Sequence, residues 1–369
     1  MNFKKIALAA AAAAAATPAM AADLPVVAEP VNYVEACSAY GDGYFKLPGQ
    51  DTCIRVHGRI RTNFVSHDLN DGLGDVTNQD EVDADLTGET EAETNDYSAY
   101  ARGYLYFESM TTTEFATIET YTAFLANHDQ DGNDTVIIDD VYLQLGFNSG
   151  SLLIGDTLSQ FDSFTGYTWI APVSENFSEQ YPLLIAYTAD LGNGLSLTGS
   201  LEDSTERGGA NNRADFVGAL SVSQGWGNAK FSAAAHAYDG DDYGYALSGS
   251  VTITAMEGIE ATFQAQYANR AIDYIGGAAN SGFTDAGDVS GFNIGGGFQG
   301  DLSDTVSAQL DWSYLSLDQG SADYDRTAID ASLVYSPVAG LAFAVAAGWA
   351  DDSNDNDEAK VGARIQYTF

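Results

Sequence analysis

Arg55, Arg59 and Arg61 share one side of the stretch Ile54–Phe64, IRVHGRIRTNF, with His57 and Asn63, while Ile54, Val56, Ile60 and Phe64 take the other. Successive side chains on a strand point to opposite faces, so a period of two sorts the residues this way. The same alternation over Tyr97–Met110 sets Arg102 beside Tyr100, Tyr104, Tyr106 and Glu108, and near the end of the chain it sets Lys360 and Arg364 on one face. Rows of fixed charge act electrostatically. A basic row opposed by acids across a gap makes a transverse field that orders polar solutes and their water, and apolar solutes gain nothing from it. Asp162, Glu175 and Glu179 are the acids that the irregular segment Ser163–Gln180 and its border bring to such a gap. The blander reading is a set of solvated charges with local partners, such as Glu108 near Arg102.

Other chemistries find less support. Only His57, His67, His128 and His236 offer imidazole bases, and none lies in a nucleophile elbow, an H-E-x-x-H pair or a Walker loop. The sequence therefore predicts no enzyme, with His57 a polar wall residue, and it implies no cofactor. Cys37 and Cys53 have no metal-type partner nearby except His57, which the strand pattern places elsewhere; no zinc site is expected. In an exported chain the two are expected to form a disulfide, the alternative being two buried thiols. Acidic runs at Leu69–Asn95 and at Asp351, Asp352, Asp355, Asp357 and Glu358 read as solvated loops. The alternative is that they bind Mg2+ or Ca2+, bridging to lipopolysaccharide phosphates. The run Asp129–Asp134 has its Gly too early for a calcium loop and no Glu at the twelfth position.

The elements that must hold the basic row are strands. Further period-two segments fall at about 115–126, 136–147, 151–162, 181–189, 195–203, 214–223, 229–238, 244–255, 260–270, 289–299, 305–317, 326–335, 341–350 and 359–369. With the first two they make about sixteen, each near the length of a tilted membrane strand. Tight turns such as Leu191–Gly194 alternate with longer polar loops such as Ala271–Asp288, the asymmetry of outer-membrane barrels. A soluble sandwich would have to pack sixteen apolar faces in one interior, against a second face of Ser, Thr, Gln, Tyr and scattered charge. The pattern instead predicts an all-β fold, a transmembrane antiparallel β-barrel with oil outside and water inside. Closure makes the first, second and last strands neighbours, which gathers Arg55, Arg59, Arg61, Arg102, Lys360 and Arg364 on one patch of wall.

Composition and address agree. Gly 38, Tyr 21 and Phe 18 suit many strands, turns and aromatic belts. Residues 1–21 read as a signal peptide, with Lys4 and Lys5, an apolar run from Ile6 to Ala16, and Ala19-Met20-Ala21 as the cleavage site. Residues 22–53 are read as an amino-terminal periplasmic segment closed by the disulfide, and 54–369 as the barrel. The formal charge of −39 excludes binding of nucleic acid through bulk charge. Export places the barrel in an outer membrane, among lipid and lipopolysaccharide.

The run Cys37-x-Ala39-Tyr40-Gly41-x-Gly43-Tyr44-Phe45, then Pro48-Gly49, Thr52-Cys53-Ile54-Arg55 and His57-Gly58, resembles the amino-terminal signature of the alphaproteobacterial trimeric porins of rhizobial and Brucella type. A second, looser likeness covers Leu152–Phe164. The resemblance implies a homotrimer, and a third external loop that folds into each barrel and narrows it. It also implies passive diffusion of small hydrophilic solutes and ions. The tyrosine-rich face of Tyr100, Tyr104 and Tyr106 keeps open a solute-selective channel, and the acidic loops keep open a surface adhesin.

Overall fold

The computed structural model describes residues 34–369 apart from 48, 70–96, 131, 257, 278–280 and 355. The expected signal peptide over residues 1–21 and the acids between Asp71 and Glu93 lie outside the described residues, as does Asp355. Two short strands, β1 (Glu35–Ala36) and β2 (Phe45–Lys46), pair with each other ahead of sixteen longer ones. These are β3 (Cys53–Ser66), β4 (Tyr97–Thr112), β5 (Thr117–Asp129), β6 (Asp134–Phe147), β7 (Gly150–Asp156) and β8 (Leu183–Gly192). They continue as β9 (Leu195–Asp203), β10 (Ala214–Gln224), β11 (Gly227–Asp239), β12 (Asp242–Met256) and β13 (Ile259–Asn269). The last are β14 (Ser290–Ser303), β15 (Val306–Gln319), β16 (Ala322–Val338), β17 (Leu341–Asp352) and β18 (Asp357–Thr368). Each strand from β3 onward pairs antiparallel with the next, and β18 returns to β3 through Gly362↔Val65 to Thr368↔Arg59. Closure leaves no edge, and so no row of unpaired backbone groups facing lipid.

The faces follow the alternation. On β3, Val56, Ile60 and Phe64 are exposed, and the pattern repeats with Phe216, Phe231, Phe263, Leu310, Phe343 and Val345 around the barrel. The buried positions between them are polar: Gln264, Gln266, Asp311, Ser313, Asp330 and Ser332. A soluble protein does not leave so continuous an apolar surface in water, so the soluble sandwich is excluded. Tight turns close one rim. Asn193 and Gly194, between β8 and β9, both take positive φ, 53° and 72°, the conformation that a two-residue hairpin needs and that Asn-Gly adopts readily.

One strand departs from the sequence reading. The period-two segment over 151–162 ends as a strand at Asp156. Beyond it the polar groups find partners off the ladder: Ser159 Oγ and the Gln160 N–H donate to the Glu202 carboxylate of β9 (2.6 and 2.9 Å). The chain then stays off the wall until Leu183. Conversely, the strands expected at about 115–126 and 136–147 extend toward each other, since β5 runs to Asp129 and β6 begins at Asp134.

Candidate functional site

The register brings the basic row together. Arg61 lies directly across from Arg102, Arg59 from Tyr104, His57 from Tyr106 and Arg55 from Glu108 on β4. On the other side Arg364 faces Asn63 and Gln366 faces Arg61. The arginines then differ in their company. Arg55 Nη2 reaches Glu108 Oε1 at 2.6 Å, and His57 Nε2 reaches the same oxygen at 2.9 Å. Glu108 thus neutralises Arg55 rather than Arg102. Lys360 is spent on Glu358 (2.7 Å), which also holds Arg326 (3.2 Å). Arg364 Nε donates to Asn63 Oδ1 (3.0 Å). Arg102, 3% exposed, donates to Asn127 Oδ1 and Tyr104 Oη, both at 3.1 Å. Arg59, Arg61 and Arg102 all lie over the Tyr104 ring, at 4.0, 5.2 and 5.9 Å from its centroid. Tyr104 begins a row of parallel rings, Tyr106, Tyr121 and Tyr142, with neighbouring centroids 6.0, 6.1 and 5.3 Å apart.

Beneath this row sits the amino-terminal segment. The Cys37–Cys53 disulfide is formed, and Tyr44, buried beside it, donates its hydroxyl to Glu108. Burial first, and then that carboxylate, push the Tyr44 phenol up to about 12.

The segment between β7 and β8 lies against the inner faces of the strands on the other side. The N–H groups of Tyr167 and Thr168 donate to Asp311 Oδ2 (2.7 and 2.6 Å), and Trp169 N–H donates to Ser332 (3.2 Å). Asn176 N–H donates to Ser313 (2.9 Å). Arg326 donates to the carbonyls of Val173 (2.6 Å) and Ser174 (2.8 Å). Glycines on the inner face make room for its side chains. A Cβ at Gly295 would stand 2.7 Å from Phe177, one at Gly297 2.8 Å from both Phe164 and Tyr167, one at Gly348 2.9 Å from Val173, and one at Gly362 2.9 Å from Ile170. The segment therefore tracks the wall from β9 round to β18 and reaches the far end of β3, where Ile170 and Val65 share one buried apolar cluster, while its first residue, Thr157, meets Asp140 of β6.

The three acids proposed from sequence do not share one environment. Asp162 is buried and bound to Arg207 of the turn Ser204–Arg207, Nη2 to Oδ2 2.8 Å. It is engaged there and not with the row on β3. Glu175 lies by Asp330 and Asp311, and burial first, then those two charges, hold its carboxyl well above the ordinary range. Glu179 accepts from Tyr181 Oη at 2.8 Å. Sequence reasoning did not single out Arg207, Arg326 or Asp311, and it named His236 only as one of four imidazoles. Arg207 is fully buried, with Ser178 Oγ at 2.7 Å and the Tyr274 ring centroid at 3.9 Å. His236 stands between Asp215 (2.7 Å) and Asp285 (3.4 Å). The available signal for Asp311 and Asp330 was a carboxylate at an inward position of a strand. For Arg207 no periodic pattern marks the residue. Among the described residues, no group of three or more His, Cys, Asp or Glu is placed to hold a metal ion.

A sequence profile described as the porin subfamily matches residues 23–369. Porin Omp2b of Brucella suis biovar 1 is 33% identical over 282 residues, which is 69% of this chain and 71% of that one. Among solved structures, the outer membrane channel DcaP of Acinetobacter baumannii superposes with a TM-score of 0.68 at 16% identity, over 86% of this chain and 97% of that one. A trimer form of OmpT of Vibrio cholerae superposes with a TM-score of 0.55 at 9% identity, over 87% and 100%. The two structural likenesses are likenesses of fold.

Proposed function

We propose, for a chain that belongs to the porin subfamily, a general-diffusion channel of the outer membrane, through which small hydrophilic solutes and ions pass down their gradients. The observation that carries this is the inversion of the barrel: large apolar side chains stand exposed outside while Gln, Ser, Asp and Arg line the interior. That arrangement suits lipid around a wet lumen. The family's members are channels, and no chemistry beyond passive diffusion is assigned to this one.

The proposed constriction lies between segment 157–182 and the face of β3, β4 and β18. Arg55, Arg59, Arg61, Arg102, Lys360 and Arg364 form its basic side, with His57, Tyr100, Tyr104 and Tyr106 lining it. Glu179 stands on the segment's side of it, with Glu175 turned to Asp330 and Asp311 of the wall and Asp162 anchoring the segment from behind. The proposed assembly is a homotrimer in outer-membrane lipid and lipopolysaccharide, in keeping with the trimer form of OmpT.

Planar-bilayer recording across a salt gradient tests both halves of the reading. Stepwise conductance is expected from the wild type. Arg59→Ser with Arg61→Ser should move the reversal potential toward cations, and an unchanged reversal potential refutes the placement of the constriction. Absence of any conductance refutes the channel. The row of tyrosine rings supports a second reading, a channel that prefers one solute class; liposome swelling over sugars of graded size separates a smooth sieve from saturation.

A further inference from the structure

The chain carries 53 acids against 14 bases, so a guanidinium without a carboxylate is the exception that needs a cause. Arg55, Arg207, Arg213, Arg270 and Arg326 each lie within 4 Å of an acid, as do Lys46 and Lys360. Among the described residues, no acid lies within that distance of Arg59, Arg61 or Arg102. These three are neighbours. Arg61 and Arg102 are a directly opposed cross-strand pair, the arrangement in which like charges repel most, and Arg59 is two residues along.

What surrounds them holds them in place without neutralising them. The positions that could have carried a carboxylate carry neutral amides instead: Asn127 accepts from Arg102, and Asn63 sits across from Arg364. The Tyr100 and Tyr104 rings lie under the guanidinium planes, with Arg102 Cζ 4.2 Å from the Tyr100 centroid and Arg59 Cζ 4.0 Å from that of Tyr104. Ring faces attract cations and fix their orientation but accept few of their protons. Nη2 of Arg102, which is 97% buried, and Nε of both Arg59 and Arg61 are shut from solvent without a hydrogen-bond partner, while the side chains of Arg59 and Arg61 as a whole stay partly exposed to the lumen. Three charges, flat and oriented on a rigid sheet, with N–H groups left over, match a multivalent oxyanion, because planar guanidinium forks pair with carboxylate and phosphate oxygens.

The geometry points to an oxyanion-binding site at Arg59, Arg61 and Arg102 on the lumen wall, which captures phosphate or dicarboxylate solutes in transit. This rests on the channel reading above and names the solute class that its basic wall retains. Chloride and other compact monovalent anions pass without being held, since they cannot engage several forks at once.

The test uses the full mature chain in a planar bilayer with potassium chloride as the conducting salt, titrated with inorganic phosphate in one series and succinate in another. A saturable fall in chloride current in either series supports the site, and the series that saturates at the lower concentration identifies the oxyanion. Arg59→Gln and Arg61→Gln should each raise the half-blocking concentration by roughly tenfold, the worth of one charge-assisted hydrogen bond. Conductance steps with a reversal potential shifted toward cations mark an open channel in each variant, and the heat-modified gel mobility of a folded barrel checks that each has assembled. If phosphate and succinate leave the chloride current linear in the wild type, the site is refuted while the channel stands. Should no salt give steps, the channel reading itself fails and the site falls with it.

Discussion

Replacing Asp162 by Asn tests whether the inward segment is clamped by its buried ion pair. The side chains of Arg207 and Asp162 are 1% and 0% exposed and meet at 2.8 Å, so water screens neither. Breaking such a pair from one side strands the other charge and costs about 3–5 kcal/mol. Arg207 would keep Ser178 Oγ at 2.7 Å and the Asp273 carbonyl at 3.2 Å, which puts the expected cost at the lower end, about 3 kcal/mol. The pair ties the segment to the turn Ser204–Arg207 and not one strand to another, so the loss belongs to local opening. Hydrogen exchange over residues 157–182 should then speed up by roughly a hundredfold, while the amides of β13 to β16 hold their rates. Arg207→Met combined with Asp162→Asn removes both charges and should restore much of the protection, since no ion is then left unpaired. Exchange within about threefold of wild type in the single variant, or a double variant as labile as the sum of the singles, would refute the clamp.

Burial, with the charge of Asp285 second, pushes Asp273 up to about 6. A carboxyl whose folded pKa lies above its unfolded value of about 3.9 stabilises fully below that value, and the contribution is lost as pH rises through 6. Asp273→Asn should therefore gain on the wild type between pH 4 and 7, by on the order of 3 kcal/mol at most. Urea unfolding of the vesicle-inserted protein at pH 4.5 and 7.5 reads the difference, and a variant weaker than wild type at pH 7.5 refutes the reasoning. Gly297→Leu fills the space that Phe164 and Tyr167 occupy and should force the segment into the lumen, lowering single-channel conductance; Gly218→Ala, where a Cβ meets nothing within 4 Å, is the control that should leave it unchanged. Loss of the Cys37–Cys53 link, which spans 16 residues, should release about 3 kcal/mol of chain entropy to the opened form. Exchange in 34–52 then quickens with the barrel unaffected, and a drop in whole-barrel stability would argue against a local role.

The strand count and the facing of β3, β4 and β18 were legible because both depend on a period of two, which a lipid-facing wall enforces residue by residue. Pairing of consecutive strands then put Arg61 and Arg102 on one patch, and closure brought Arg364 to it. The partner of each charge was not legible in the same way. Asp162 finds Arg207 at 45 residues' remove, in a turn whose sequence has no period, and the pairing exists only once two loops have folded against each other. The sockets were half visible: glycines inside a strand signal close approach of another backbone or side chain, and Gly295, Gly297, Gly348 and Gly362 all lie inside strands, yet nothing in their own sequence says which segment comes near.

The acids of the inner wall explain why the basic side stays available. Asp311 spends its Oδ2 on the N–H groups of Tyr167 and Thr168, Asp330 its Oδ1 on that of Val173 (3.4 Å), and Glu202 both oxygens on Ser159 and Gln160. An irregular segment inside a barrel has no ladder to satisfy its backbone, and its donors must be met by the wall. Carboxylates at inward positions of β9, β15 and β16 supply the acceptors, so much of the acid on that side caps the loop and is not offered to the arginines. Away from those contacts, on β4 and the middle of β3, the wall bears Arg59, Arg61 and Arg102 over tyrosine rings. The division of charge across the lumen therefore follows from where the loop lies: fixing a loop to one wall consumes acids there, while Arg59, Arg61 and Arg102 stay without a carboxylate within 4 Å among the described residues.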